Sequence, residues 1–131
     1  MIKTRKAVSP LDPVWEQISS EAQEAVVKQP LMGGLIHACI LHHPTLEKAL
    51  SYRIAAKLCS NEMSMVILRE IVDTAYASDP SLIAAARADL MAVYDRDPAC
   101  HRLLQPILYF KGYQAVQAYR VAHWLWTQGD Q

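Results

Sequence analysis

The chain has 131 residues, 52% of them hydrophobic, and its 13 Lys and Arg are balanced by 13 Asp and Glu. That length suits one domain, and at this size folding can bury about two-thirds of the unfolded surface. A formal net charge of zero offers no basic excess for nucleic-acid binding, and it raises little repulsion between copies, so self-association is permitted.

The N-terminus, Met1-Ile2-Lys3-Thr4-Arg5-Lys6, is basic, but no apolar segment follows it. No apolar run approaches the ~20 residues that span a bilayer. A soluble, cytoplasmic chain without a membrane partner is therefore expected. Cys39, Cys59 and Cys100 are odd in number and widely spaced. They read as small buried hydrophobes in a reducing compartment, not as a disulfide framework or a zinc knuckle.

Residues 1–10 are polar, end in Ser9-Pro10, and are read as a flexible arm ahead of a helical domain over 11–131. Asp12-Pro13 opens the first helix, with Asp as N-cap and Pro in the first turn. Trp15, Ile18, Ala22 and Ala25/Val26 recur at helical spacing up to about Lys28. Gln29-Pro30 breaks that helix. A second apolar face follows in Leu31, Leu35, Ile36, Cys39 and Ile40. Gly33-Gly34 weakens it by roughly 1 kcal/mol per Gly, and a tight backbone contact is one reason for two glycines there.

His42-His43-Pro44-Thr45 ends the second helix, where an imidazolium suits the negative end of the helix dipole. Leu46, Ala49/Leu50, Ile54 and Leu58 mark the third helix. After a turn at Ser60-Asn61-Glu62, Met65, Leu68, Ile71/Val72 and Ala75 mark the fourth. Asp79-Pro80 repeats the cap-and-proline signal, and Ile83, Ala86, Leu90 and Val93 follow on an alanine-rich fifth helix. Asp97-Pro98 reads as a third such start, with a short helix to about Leu104 and then Pro106. The last helix runs from near Lys111 to a C-cap at Gly129. No long alternating segment occurs, so the expected fold is all-α, a compact domain of about seven helices.

Chemistry-bearing patterns are sparse. Gly33-Gly34 lacks the flanking residues of a phosphate loop. Cys39 and His43 lie four apart, but Pro44 follows at once and no carboxylate pair joins them, so no metal site is expected. Ser9, Ser51 and Ser60 sit in no Gly-x-Ser-x-Gly elbow. Arg120 and His123, three apart, face nearly the same way and read as packing or hydrogen-bonding residues. Trp124 and Trp126 cannot share one helix face; one is expected to pack inward and the other to meet another chain. From spacing alone, Asp97 is a helix N-cap.

Several motifs nevertheless carry a specific resemblance. Arg96-Asp97-Pro98-Ala99, Phe110-Lys111-Gly112-Tyr113 and the run from Gln117-Ala118-Tyr119-Arg120 through Trp126 resemble the N-terminal helical domain of bacterial and plant serine acetyltransferases. The likeness extends back through Asp79-Pro80, Lys57-Leu58 and Leu50-Ser51 to Trp15, roughly residues 12–129. It implies a parent enzyme that acetylates L-serine from acetyl-CoA in cysteine biosynthesis. It implies that Asp97 contacts the serine ammonium, a charge-assisted pairing, while capping with its other oxygen.

The family's catalytic histidine and acetyl-CoA site lie in a hexapeptide-repeat β-helix whose motifs do not occur here. The resemblance therefore implies no catalytic residue, no bound cofactor and no turnover from this chain alone. It also implies assembly: such helical domains pair and join trimers into hexamers. Trp15 and Ile18 on the first helix, and Leu35 and Ile36 on the second, are the expected contact faces. The alternative from another class is a stand-alone all-helical interaction module.

Overall fold

In the computed structural model the structure describes residues 12–128. The arm expected over 1–10 and the cap at Gly129 fall outside them. The described residues form seven helices and no strand. Helix α1 is Pro13–Lys28. A composite α2 covers 30–41, as a 3-10 turn Pro30–Met32, an α turn Gly33–Ile36 and a π turn His37–Leu41. Then come α3 Leu46–Leu58, α4 Met65–Ser78, α5 Pro80–Arg96, α6 Leu104–Tyr109 and α7 Lys111–Gln128.

Caps explain most starts. Asp12 Oδ1 accepts from Trp15 N at 3.1 Å, and Asp79 Oδ1 from Ser81 N at 3.0 Å, each ahead of a proline in the first turn. Thr45 and Ser64 hydroxyls accept from Lys48 N and Ile67 N, both at 3.2 Å. Each cap satisfies a donor the helix itself cannot. Ser60 Oγ closes the turn before α4 by accepting from Glu62 N and Met63 N.

The core is assembled from the expected stripes: Trp15, Ile18 and Ala22 from α1, Leu46, Leu50 and Ile54 from α3, Val72 and Ala75 from α4, and Ile83, Ala86 and Leu90 from α5. Fully burying one such large aliphatic side chain stabilises the fold by about 1.5–3 kcal/mol. Helix α7 closes the domain by packing on α3, α4, α5 and α6, while α1 packs on α2 and α6. Tyr113 on α7 donates to Ala86 O at 2.9 Å. Gln117 Nε2 and Arg120 Nη2 both reach Asp89 Oδ2, at 2.8 and 3.0 Å.

Four expectations change here. First, Gly33 and Gly34 mark no close backbone approach. A Cβ on Gly33 would meet only Val26 Cγ1 at 3.8 Å, and one on Gly34 nothing within 4 Å. Second, Leu31 is fully exposed, because the 3-10 turn has a different period from the helix assumed. Third, Cys59 is exposed, in contrast to buried Cys39 and Cys100, and all three are free thiols. Fourth, Trp15, Ile18 and Ile36 are buried and Leu35 is half-buried against the core. Those faces pack inward, because α1 spends its apolar stripe on α2 and α6, and α2 spends its own on α1 and α3. No described helix is long and apolar enough to cross a membrane.

Candidate functional site

Asp97 stands where α5 ends. Its N–H still donates to Val93 O at 2.9 Å, but its backbone turns extended (φ −93, ψ 113). Pro98 causes this by disfavouring helical geometry in the residue before it. Asp97 Oδ1 then accepts from Ala99 N, and Asp97 O from Cys100 N, both at 2.9 Å. These bonds close a tight side-chain and backbone turn.

The short helix expected from Asp97 to about Leu104 is therefore a turn, and the helix begins at Leu104 instead. A helix from Pro98 would run into Pro106, which lacks an N–H and clashes with the carbonyl four residues back. Restarting at Leu104 puts Pro106 in a first turn, where no N–H is needed. The side chain of Gln105 also takes the N–H groups of His101 and Arg102.

Asp97 is half-buried. Its second oxygen, Oδ2, has no hydrogen-bond partner among the described residues. The turn thus presents one carboxylate oxygen that is not engaged within the domain. Nearby, burial pushes the Cys100 thiol up, partly offset by its bond to Arg102 O and reinforced by Asp97 and Glu21. Its Sγ donates to Arg102 O at 3.3 Å, so it is a packed, hydrogen-bonded thiol. A cleft of about 340 Å³ opens beside the turn, with Lys28, His101, Arg102 and Tyr109 among its lining residues.

The other singled-out residues lie elsewhere and are structurally engaged. Arg120 is ion-paired with Asp89. His123 is exposed and stacks on Tyr119, with centroids 6.0 Å apart and planes at 22°. Trp124 packs against the core while Trp126 is 80% exposed, so Trp124 takes the inward place expected of one of the pair. Ser51 donates to Arg69 O at 3.3 Å, and Ser9 lies outside the described residues.

Cys39 accepts from Arg53 Nη1 at 3.6 Å, and His43 Nε2 donates to Ala38 O at 2.8 Å, so Cys39 and His43 engage different partners. The charged helix end expected of His43 is also disfavoured by its surroundings. Burial is the largest cause that holds its ring below the ordinary value, opposed by the Ala38 bond. Its ring N–H meets a helix carbonyl, and burial disfavours the charged form.

Sequence reasoning missed Glu21 and Arg53. Glu21 Oε1 accepts from Leu104 N at 3.1 Å. Arg53 donates to Ile107 O and Leu108 O, at 3.2 and 2.7 Å. Both stand outside the apolar stripes, and no local pattern announces a partner more than fifty residues away.

Residues 14–118 match the family model described as serine acetyltransferase, N-terminal. The serine acetyltransferase of Escherichia coli K12 is 46% identical over 119 residues, which are 91% of this chain and 44% of that protein. The crystal structure of the Brucella abortus serine acetyltransferase in complex with coenzyme A superimposes with a TM-score of 0.86 at 43% identity, covering 93% of this chain and 49% of that one. The soybean serine acetyltransferase complexed with serine gives 0.84 at 42% identity, covering 88% and 48%. The chain belongs to the serine acetyltransferase family and corresponds to its N-terminal helical domain. It spans less than half the length of the curated relatives it matches here.

Proposed function

We propose that this chain is the helical N-terminal part of a serine O-acetyltransferase, which moves an acetyl group from acetyl-CoA to the L-serine hydroxyl. In this reading Asp97 meets the serine ammonium, copies associate through the helical surface, and the acetyl-CoA site and the catalytic base reside outside residues 12–128. The domain alone then catalyses no turnover.

The observation that carries the reading is the Asp97 turn within the family-matched segment. One oxygen is spent on holding the turn, and the other is left for a cationic group. An ammonium donates to a carboxylate in a charge-assisted bond stronger than a neutral one. The relatives whose structures contain coenzyme A or serine support the substrate assignment by kinship. A stand-alone interaction module shares the association surface but gives the free oxygen of Asp97 no role.

The test is Asp97→Asn in the intact enzyme that carries this domain. Asn still accepts from Ala99 N, because Asn forms the same turn, so the melting temperature is expected to stay nearly unchanged. Losing the charge-assisted contact raises the serine KM roughly tenfold or more, with the acetyl-CoA KM unmoved. An unchanged serine KM would leave Asp97 a turn former only.

A further inference from the structure

We propose that Glu21 and Arg53 are positioning residues: they grip helix α6 at its two ends and so fix where the Asp97 turn presents its free oxygen. This rests on the reading of Asp97 as a serine-site group.

Helix α6 has only six residues, and Leu103 before it supplies no side-chain cap. A helix this short is marginal by itself. Its cap comes from a distant helix: Glu21, on α1, accepts the Leu104 N–H. Gln17, one turn earlier on α1, donates to the other Glu21 oxygen at 3.1 Å and steadies it. At the opposite end, Arg53 on α3 donates to the carbonyls of Ile107 and Leu108. Gln114 Nε2 on α7 joins it on Ile107 O at 2.7 Å. An acidic group thus sits at the start of α6 and a basic one at its end, the signs the helix dipole favours. The rigid fork of the guanidinium suits two adjacent carbonyls.

The turn starts from α5, where the Asp97 N–H bonds Val93 O, and its far end inherits its position from this grip. The hydrogen bonds of residues 98–103 are local: Ala99 and Cys100 bond to Asp97, Cys100 Sγ to Arg102 O, and His101 and Arg102 to Gln105. Among the described residues, the Leu104 bond to Glu21 is the hydrogen bond that ties 98–104 to a distant part of the chain. Packing of Cys100, Leu103 and Leu104 holds the segment inward, but apolar contacts are non-directional. Asp97 itself is held to α5 by its N–H bond to Val93 O; the directional constraint on the segment that follows it, 98–104, comes from Glu21 and, through α6, from Arg53.

The experiment uses the intact enzyme with Glu21→Ala, Glu21→Gln, Asp97→Asn, and Glu21→Ala combined with Asp97→Asn. Hydrogen exchange of amides 99–104 and separate KM values for serine and acetyl-CoA are read for each. Glu21→Ala is expected to speed exchange there about fivefold. It should raise the serine KM roughly threefold or more, since small misplacements of a positioning group are costly. The acetyl-CoA KM should not move. Glu21→Gln keeps an acceptor oxygen and should restore both readouts. In the Asp97→Asn background, Glu21→Ala should add nothing to the serine KM, because it acts only through Asp97.

Unchanged exchange in Glu21→Ala, or faster exchange with an unmoved serine KM, would overturn the proposal. So would equal damage to both substrates, which is the mark of general destabilisation. If Asp97→Asn alone leaves the serine KM unchanged, the serine-site reading fails and the functional half of this proposal with it. The exchange pattern would then still decide whether Glu21 holds the turn.

Discussion

At His43, position in the chain and position in space give opposite expectations for charge. Next to Pro44 at a helix end, a histidine suits the cationic form. Buried among the core elements, and facing Arg69, His42 and Asp73, its ring is held below the ordinary 6.5 chiefly by desolvation. The folded state therefore binds fewer protons at this residue than the unfolded state does. Stability from this site is fully present above the unfolded value. It falls as pH drops below about 6.5 toward the lower folded value. The expected outcome is a melting temperature that declines between pH 8 and pH 5, and less so in His43→Gln, whose amide can still donate to Ala38 O. Parallel pH profiles for the two proteins would show that His43 contributes nothing to acid sensitivity. Residue identity was a good guide only where the partner was local. Asp12 and Asp79 are legible as caps because their acceptor, their proline and the following apolar period all agree. Asp97 has the same local signal, but Pro106 and the side chain of Gln105 convert it to a turn. The pairing of Gln117 and Arg120 with Asp89 depends on how α7 lies on α5, which spacing within α7 cannot reveal.

Helices with an unbroken 3.6-residue period were legible as elements: α1, α3, α4 and α5 bury most of the residues their spacing selects, with Leu58 at the end of α3 an exception at 53% exposed, and α7 was legible as an element without its inward face. Helix α6 was not, because its cap is supplied across 83 residues of sequence. Segment 30–41 was only half legible, because three helical geometries succeed one another within it. Its π turn closes with His42 N donating to His37 O at 2.8 Å. His43 N donates instead to Ile40 O at 3.1 Å, and the His43 ring serves the Ala38 carbonyl. Gly34 is the residue of this segment whose type nothing in the packing demands. It sits inside a helical turn, and a Cβ there would find open space. Gly34→Ala is therefore expected to stabilise the domain by about 0.4–1 kcal/mol, by restricting the unfolded chain and favouring the helix. In a thermal melt this is a rise of roughly 2–4 °C for a domain of this size. A fall in melting temperature would mean that the segment needs backbone freedom that the helical conformation does not disclose.

For the molecule as a whole, the question is which surface meets a second copy. The faces expected from sequence cannot serve: Trp15 and Ile18 are 5% and 0% exposed. Trp15→Glu would bury an unpaired charge and unfold the domain, so loss of association in that variant would carry no information. The outward large apolar residues of α1 and α2 are Val27, 79% exposed at the end of α1, and Leu31, fully exposed in the 3-10 turn. They lie on either side of the Gln29-Pro30 break, next to half-buried Val26, Met32 and Leu35. A second outward set, Leu125 and Trp126 on α7, is 45% and 80% exposed. Exposed apolar patches mark contacts more often than scattered residues do, and zero net charge raises little long-range repulsion. If copies pair about a two-fold axis, each substitution acts twice at the interface. Val27→Glu with Leu31→Glu is expected to preserve the melting temperature, since both side chains are in water. It should shift sedimentation equilibrium toward monomer across a concentration series. Leu125→Glu with Trp126→Glu, run in parallel, should leave that equilibrium where it was. The reverse pattern would move the contact to the closing helix, and a parent chain that stays monomeric at the highest concentration would deny the domain any association of its own.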